Sequence, residues 1–324
     1  MNYTAGLVSV IIPTYKRSDL LPRAIQSVLG QTYRNVEVLV VNDNVSPDDE
    51  YSRKLYALLD GIDDGRVRLV SQPKHINAAA ARNAGIREAV GEYIAFLDDD
   101  DYWEPEKVEL QVRQFERLGP RWGMVTCLNI LRNRDRIVGA SFPYRDGDIF
   151  LDVLERRVGI GMGSALFRRS ALDVAGYFDE RLLRHQDLQL FANVTARYRT
   201  KLVRKHLFVI DVSDGQNRPD AMKLQKIKQE YFDSVKPLLE RLSPSQRRQV
   251  VALHDFETAY SFLKSGDKRR CLQMAAGILR SPVTVYLAAE RCCRKLCEKK
   301  LYRLSLKKYS DTVAHNEFKG NEAG

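Results

Sequence analysis

What narrows the fold of this chain first is the alternation of short apolar runs with helix-patterned segments along its first hundred residues. "VSVII" (8–12) and "VEVLVV" (36–41) are nearly continuous apolar stretches of strand length, the pattern of strands covered on both faces. Between them Leu21, Ala24, Ile25, Val28 and Leu29 recur at helical spacing after the turn "PTYKRSD", which places an N-cap at Ser18 or Asp19. A helix over 51–60, the strand "VRLV" (67–70), a helix over 78–89, the strand "YIAFL" (93–97) and a helix over 105–117 opened by Pro105 continue the series. Strands separated by helices of this length are βαβ units. They predict an α/β fold with a mostly parallel central sheet flanked by helices.

In open sheets of that kind ligands gather beyond the carboxyl ends of the strands, and this chain places its acids there. Asp43 follows "VEVLVV", and the "YIAFL" strand runs straight into Asp98, Asp99, Asp100 and Asp101. Adjacent carboxylates raise one another's pKa unless a cation intervenes. A hard divalent ion held by oxygens, Mg²⁺ or Mn²⁺, with a substrate phosphate completing its shell, is the expected counter-charge. A calcium loop would need alternating ligands and a glycine that "DDDDYWEP" lacks. A helix N-terminus explains Asp101 and Glu104 but not a strand ending in three further Asp.

Charge is distributed unevenly. Residues 1–220 carry 31 basic and 31 acidic side chains, whereas residues 221–324 carry 21 basic and 11 acidic, so the net charge of +10 belongs to the last third. An excess of that kind points to an anionic partner, a membrane surface or a nucleic acid. From 280 to 308 nine Lys and Arg face two acids, with Ala289, Cys293, Leu296, Cys297, Leu301 and Leu304 at helical spacing. Such a helix suits an anionic lipid surface, and equally a helix packed on its own domain with a basic face in water. Paired stacking aromatics are missing beside the basic run, which disfavours nucleic acid. Neither a signal peptide nor an apolar window near ~18 residues is present, and the five cysteines show no framework spacing. The expected location is the cytoplasm, with a peripheral contact on the inner face of the cell membrane.

"VSVIIPTYKRSDLLPRAIQSVLGQTYRNVEVLVVND" followed by "AAARNAGIREAVGEYIAFLDDDD" resembles the family 2 glycosyltransferases of the GT-A fold, and the likeness continues more loosely to about residue 200 through "GSALFRRSALDVAGYFDERLLRHQDLQLFANV". The resemblance implies an inverting transfer from a nucleotide sugar, a UDP-sugar first, to a hydroxyl of a saccharide or lipid-linked acceptor in cell-surface polysaccharide or lipopolysaccharide synthesis. It also implies residue roles. Pro13, Thr14 and Tyr15 lie against the base, Asp43 accepts a hydrogen bond from the uracil ring, and Arg82 stands near the diphosphate. Asp98 or Asp99 lies near the ribose, Asp98 and Asp100 are the ends of an Asp-X-Asp motif that holds the metal, and Asp187 is the catalytic base. A bare alternative for Asp187 is a helix N-cap. This chain departs from the family pattern where Asn42, Asp43, Asn44 and Val45 replace Asp-Asp-Gly-Ser, at Asn77 before "ARN", and at Gln186 before Asp187.

The alternation stops near residue 212. Beyond the loop "DVSDGQNRPDA", helical patterns at 221–242, 245–264, 268–280 and 283–306 predict a C-terminal α-helical region. The expected division is a catalytic domain over 1–215 and a basic helical region over 216–324. Two other readings compete with a transferase. A nucleotidyltransferase would also set carboxylates and a metal beside a nucleotide, but the glycine-rich basic loop is absent. A catalytically silent glycan- or membrane-binding module is the second.

Overall fold

The structure is a computed structural model that describes residues 3–293 except 18, 47, 73 and 214–218. The strands are β1 (Thr4–Thr14), β2 (Val36–Asn42), β3 (Val67–Ser71), β4 (Gly91–Phe96), β5 (Tyr102–Trp103), β6 (Trp122–Asn133), β7 (Arg136–Ala140), β8 (Leu166–Arg168) and β9 (Arg199–Asp211). Between and after them lie α1 (Leu21–Leu29), α2 (Glu50–Asp60), α3 (Ala78–Glu88), α4 (Lys107–Arg117), α5 (Phe150–Leu154), α6 (Arg169–Ala175) and α7 (Gln186–Thr195). The C-terminal helices are α8 (Ala221–Ser234), α9 (Lys236–Leu239), α10 (Pro244–Lys264) and α11 (Lys268–Ala275), followed by helix over 282–293.

The nine strands form one sheet in the order β3-β2-β1-β4-β8-β6-β9-β5, with β7 paired to β6. The expected βαβ half is parallel throughout: β1 pairs with β2 and β4, and β2 with β3. Beyond it β8 runs antiparallel to both β4 and β6, while β6 and β9 pair in parallel over most of their length. Period-2 alternation sends Val8, Val10 and Ile12 into the apolar layer under α1 and α4, and Ile11 into the layer under α3, α6 and α7. A Cβ at Gly85 would lie 2.4 Å from Ile11 Cγ2, so the missing side chain lets α3 settle onto β1.

Two helix starts differ from expectation. At α1 the N-cap is Leu20, without a side-chain cap, rather than Asp19, while the alternative Ser18 lies outside the described residues. Pro105 does not open α4, whose N-cap is Glu106. The preceding Tyr102 and Trp103 are drawn into the sheet by β9, and the Glu104 amide donates to the Leu207 carbonyl at 3.0 Å. That pairing spans about a hundred residues of chain and leaves no local trace.

Tyr231, Val235, Leu238, Leu239 and Val250, from α8 to α10, are buried in the same apolar cluster as Ile11 and Phe96. Helix 282–293 covers only the start of the basic stretch 280–308; its remainder, with Leu296, Cys297, Leu301 and Leu304, falls outside the described residues. Among the described residues no helix is long and apolar enough to cross a membrane.

Candidate active site

Because β1 to β4 are parallel neighbours, their carboxyl ends at Thr14, Asn42, Ser71 and Phe96 share one edge of the sheet. Pro13, Thr14, Tyr15, Asp43 and Asp98 to Asp101 therefore meet there. The Asp43 amide donates to the Thr14 carbonyl at 3.0 Å, and the Thr14 hydroxyl lies 2.8 Å from Asp99 Oδ2.

Arg82, Arg17 and the Asp211 amide hold the carboxylate run, Arg17 serving two of its members. Asp98, the most open, pairs with Arg82 Nη2 at 2.5 Å. Arg17 Nη2 reaches Asp99 at 3.3 Å and its Nη1 reaches Asp100 at 2.8 Å. Asp101 is buried and accepts from the Asp211 amide at 2.9 Å. Burial pushes Asp99 up to about 7 despite Arg17, and it pushes Asp101, with Asp98 and Asp100 adding to the effect, up to about 9. Burial thus opposes ionisation of both groups at the strand end. Arg17, whose side chain is half exposed, is a partner that the sequence motif did not single out.

At the neighbouring strand end Asp43 is buried, accepts from Gln72 Nε2 at 2.9 Å and stands 3.1 Å from His75 Nδ1. The His75 ring stacks on Tyr15 with centroids 4.0 Å apart and 17° between planes. A polar acceptor beside stacked rings is a suitable frame for a nucleobase edge and face. His75 too was missed in the sequence, since its partners lie about 30 and 60 residues away. Asn42, where the family pattern has Asp, turns inward to Ser52 Oγ at 3.0 Å, and Asn44 Oδ1 accepts from the Lys16 amide at 2.8 Å. Both asparagines brace the loops.

Asp187 lies in the first turn of α7 and is not its N-cap; that position is His185, in the left-handed region at φ 63°. Asp187 Oδ1 accepts from the Leu188 amide at 2.8 Å. A cavity of about 940 Å³ brings Asp187 together with Arg82 and Asp98, and its other wall is made by the loop after α5 and by α10. A second cavity of about 300 Å³ shares Asp187, Arg156 and Glu257 with it. His185 also lines the larger cavity; burial and the nearby Arg156 and Lys228 push its pKa down to about 3, so the ring is neutral. Behind Asp187, Glu257 Oε2 takes Lys228 Nζ at 2.6 Å, Arg156 Nη1 at 3.0 Å and Arg291 Nη2 at 3.7 Å. Pro13, Thr14, Tyr15, Asp43, Asp99 and Asp100 are not among the residues that line this cavity.

Asp98 and Asp100 face different arginines, and among the described residues no group of three His, Cys, Asp or Glu forms a ready metal cage. The donor set nonetheless fits a hard ion of the Mg²⁺ or Mn²⁺ type, which takes one or two carboxylates and finishes its shell with phosphate oxygens. Both side chains keep solvent-exposed surface, 43% for Asp98 and 25% for Asp100.

Solved structures share the fold of this sheet, which here has acids at its carboxyl edge. The mannosyltransferase PcManGT from Pyrobaculum calidifontis, in complex with GDP-Man and Mn²⁺, superposes with a TM-score of 0.55 at 19% identity, covering 95% of this chain and 85% of its own. S. aureus TarS 1–349 in complex with UDP-GlcNAc gives a TM-score of 0.55 at 14% identity, covering 85% and 92%. Residues 9–175, just over half of the chain, match Glycosyl transferase family 2, and the chain belongs to that family.

An uncharacterized glycosyltransferase of Rickettsia felis is 29% identical over 65% of this chain, but the match spans only 34% of that protein. The Escherichia coli UDP-Glc:alpha-D-GlcNAc-diphosphoundecaprenol beta-1,3-glucosyltransferase WfaP is 25% identical over 60% of this chain and 89% of its own.

Proposed function

We propose that this chain is an inverting glycosyltransferase that moves a sugar from a nucleotide donor, a UDP-sugar, to a hydroxyl of a saccharide or lipid-linked acceptor in cell-surface polysaccharide synthesis. The observation that carries the reading is the single cavity lined by Arg82, Asp98 and Asp187 at the carboxyl edge of the sheet. Family membership and the donor named for the Escherichia coli relative support it.

In this reading Tyr15 and His75 pack on the base, Asp43 accepts from the uracil ring, and Pro13 and Thr14 shape the strand end beneath it. Asp98 or Asp99 faces the ribose, and Arg82 faces the diphosphate. Asp98 and Asp100 would hold a Mg²⁺ or Mn²⁺, which when bound neutralises charge on the leaving diphosphate. Asp187 removes the proton from the acceptor hydroxyl, a weak nucleophile at neutral pH, as that oxygen attacks the anomeric carbon opposite the nucleotide. An in-line displacement of this kind inverts the anomeric configuration. Residues 1–215 carry the chemistry, the helices α8 to α10 close the acceptor side, and the basic excess of 216–324 meets the inner face of the membrane.

Calorimetric titration of UDP and GDP, with Mn²⁺ and with chelator, tests the reading. Metal-dependent binding of UDP in preference to GDP is expected. Absence of nucleotide binding under either condition would overturn the enzyme assignment.

A further inference from the structure

Helix α10 turns one stripe toward the larger cavity: Glu257, Tyr260, Ser261 and Lys264, at spacings of three, four and seven residues, all line it. With Arg156 and Arg184 they make one wall of the cavity, whose own carboxylate is Glu257; Asp98, Asp101 and Asp187 lie among the cavity's other lining residues. Glu257 is already engaged by Lys228, Arg156 and Arg291. Lys264 has no carboxylate within ion-pair distance among the described residues, and its ammonium lies 4.7 Å from the Tyr260 ring centroid. Arg156 is held in the left-handed region at φ 54°, a conformation that packing must impose on a non-glycine residue.

The same wall is apolar at its surface. Leu183 and Tyr260, both cavity-lining, are 71% and 52% exposed, and Leu263 beside Lys264 is 54% exposed. Cations and open apolar side chains on one wall of a cavity, facing a general base, match an amphiphile whose head is an anion.

We propose that Arg156, Arg184 and Lys264 form a subsite for the phosphate or diphosphate of a lipid-linked acceptor, whose apolar chain leaves across Leu183, Tyr260 and Leu263. The inference rests on the glycosyltransferase reading and deepens it. The sugar hydroxyl then lies toward Asp187 while the phosphate is read by Lys264 of α10 together with Arg156 and Arg184 from the loops after α5 and before α7, so α10 takes part in selecting the acceptor.

The test uses the full chain saturated with UDP and Mn²⁺, which fills the donor's own diphosphate site, and titrates geranyl diphosphate against inorganic pyrophosphate. Geranyl diphosphate is expected to bind the UDP-loaded protein. Pyrophosphate should bind at least about tenfold more weakly, Lys264→Ala should weaken geranyl diphosphate binding about tenfold, and Lys264→Arg should restore it, since a charge-assisted hydrogen bond is involved. UDP binding should be the same in all three proteins. The proposal is overturned if UDP binds but geranyl diphosphate does not, or if Lys264→Ala and an Arg184→Ala, Lys264→Ala double variant bind it as wild type does. Equal binding of pyrophosphate would overturn the lipid part. Failure of UDP itself to bind would instead remove the transferase reading on which the subsite depends.

Discussion

Glu257→Gln probes the charge cluster behind Asp187. Glu257 carries one negative charge against three cations, and these hold its carboxyl well below the usual range in spite of burial. Lys228 is 4% exposed, and burial pushes its ammonium down to about 8 even with Glu257 beside it. The opposite outcomes have one cause: the carboxylate gains from three cations, whereas the lysine loses most of its water for one carboxylate and the neutral His254 ring 3.2 Å away.

Removing one member of a buried pair costs about 3–5 kcal/mol. The glutamine keeps the volume and one acceptor, and Arg156 and Arg291 still reach water, so the lower end, about 3 kcal/mol, is expected from urea unfolding at pH 7. The deficit should narrow on both sides. Glu257 contributes above the unfolded carboxylate pKa and loses that contribution as pH falls toward its depressed folded value. Lys228 titrates near 8 when folded and about 10.4 when unfolded. Between those values the unfolded chain binds the extra proton, so folding gains from rising pH as the Lys228 penalty is relieved. Pairing the change with Lys228→Met should recover most of the loss. A Glu257→Gln deficit under about 1 kcal/mol at pH 7, or one that widens toward pH 10, would show that the three cations do not depend on the Glu257 charge.

Three further outcomes follow from the structure. Asp43→Ala should weaken UDP binding about 10- to 100-fold by calorimetry, the value of a buried charged acceptor, and leave the melting temperature within a few degrees. Gly85→Ala should destabilise by about 1–3 kcal/mol in urea, because the new methyl meets Ile11 on β1 within 2.4 Å. Chelation should abolish transfer, and Mn²⁺ or Mg²⁺ should restore it, as followed by UDP release.

The βαβ half was readable because its information is local: continuous apolar runs mark β1, β2 and β4, and the helical spacing of Leu21 to Leu29 marks α1. Asp43, Arg82, Asp98 and Asp187 stand out in the sequence because they sit in ordered short motifs, and the fold brings Arg82, Asp98 and Asp187 to one cavity. The β6–β9 pairing was not, because a strand such as β9, with Arg199, Lys201, Arg204 and Lys205 along it, owes its place to a partner some 75 residues away. Arg17, His75 and Glu257 were hidden for a similar reason. An arginine after a strand or a glutamate inside a helix acquires meaning only when Asp99 or Lys228 arrives beside it.

The most direct test of the account is acceptor-dependent release of UDP from a panel of UDP-sugars, with membrane lipid extract as acceptor, in wild type and Asp187→Asn. The account predicts turnover with at least one donor, a fall of about 10²- to 10⁴-fold in Asp187→Asn, and unchanged metal-dependent UDP affinity in that variant. Turnover in Asp187→Asn within a few-fold of wild type would contradict it, because another group would then have to take the acceptor's proton.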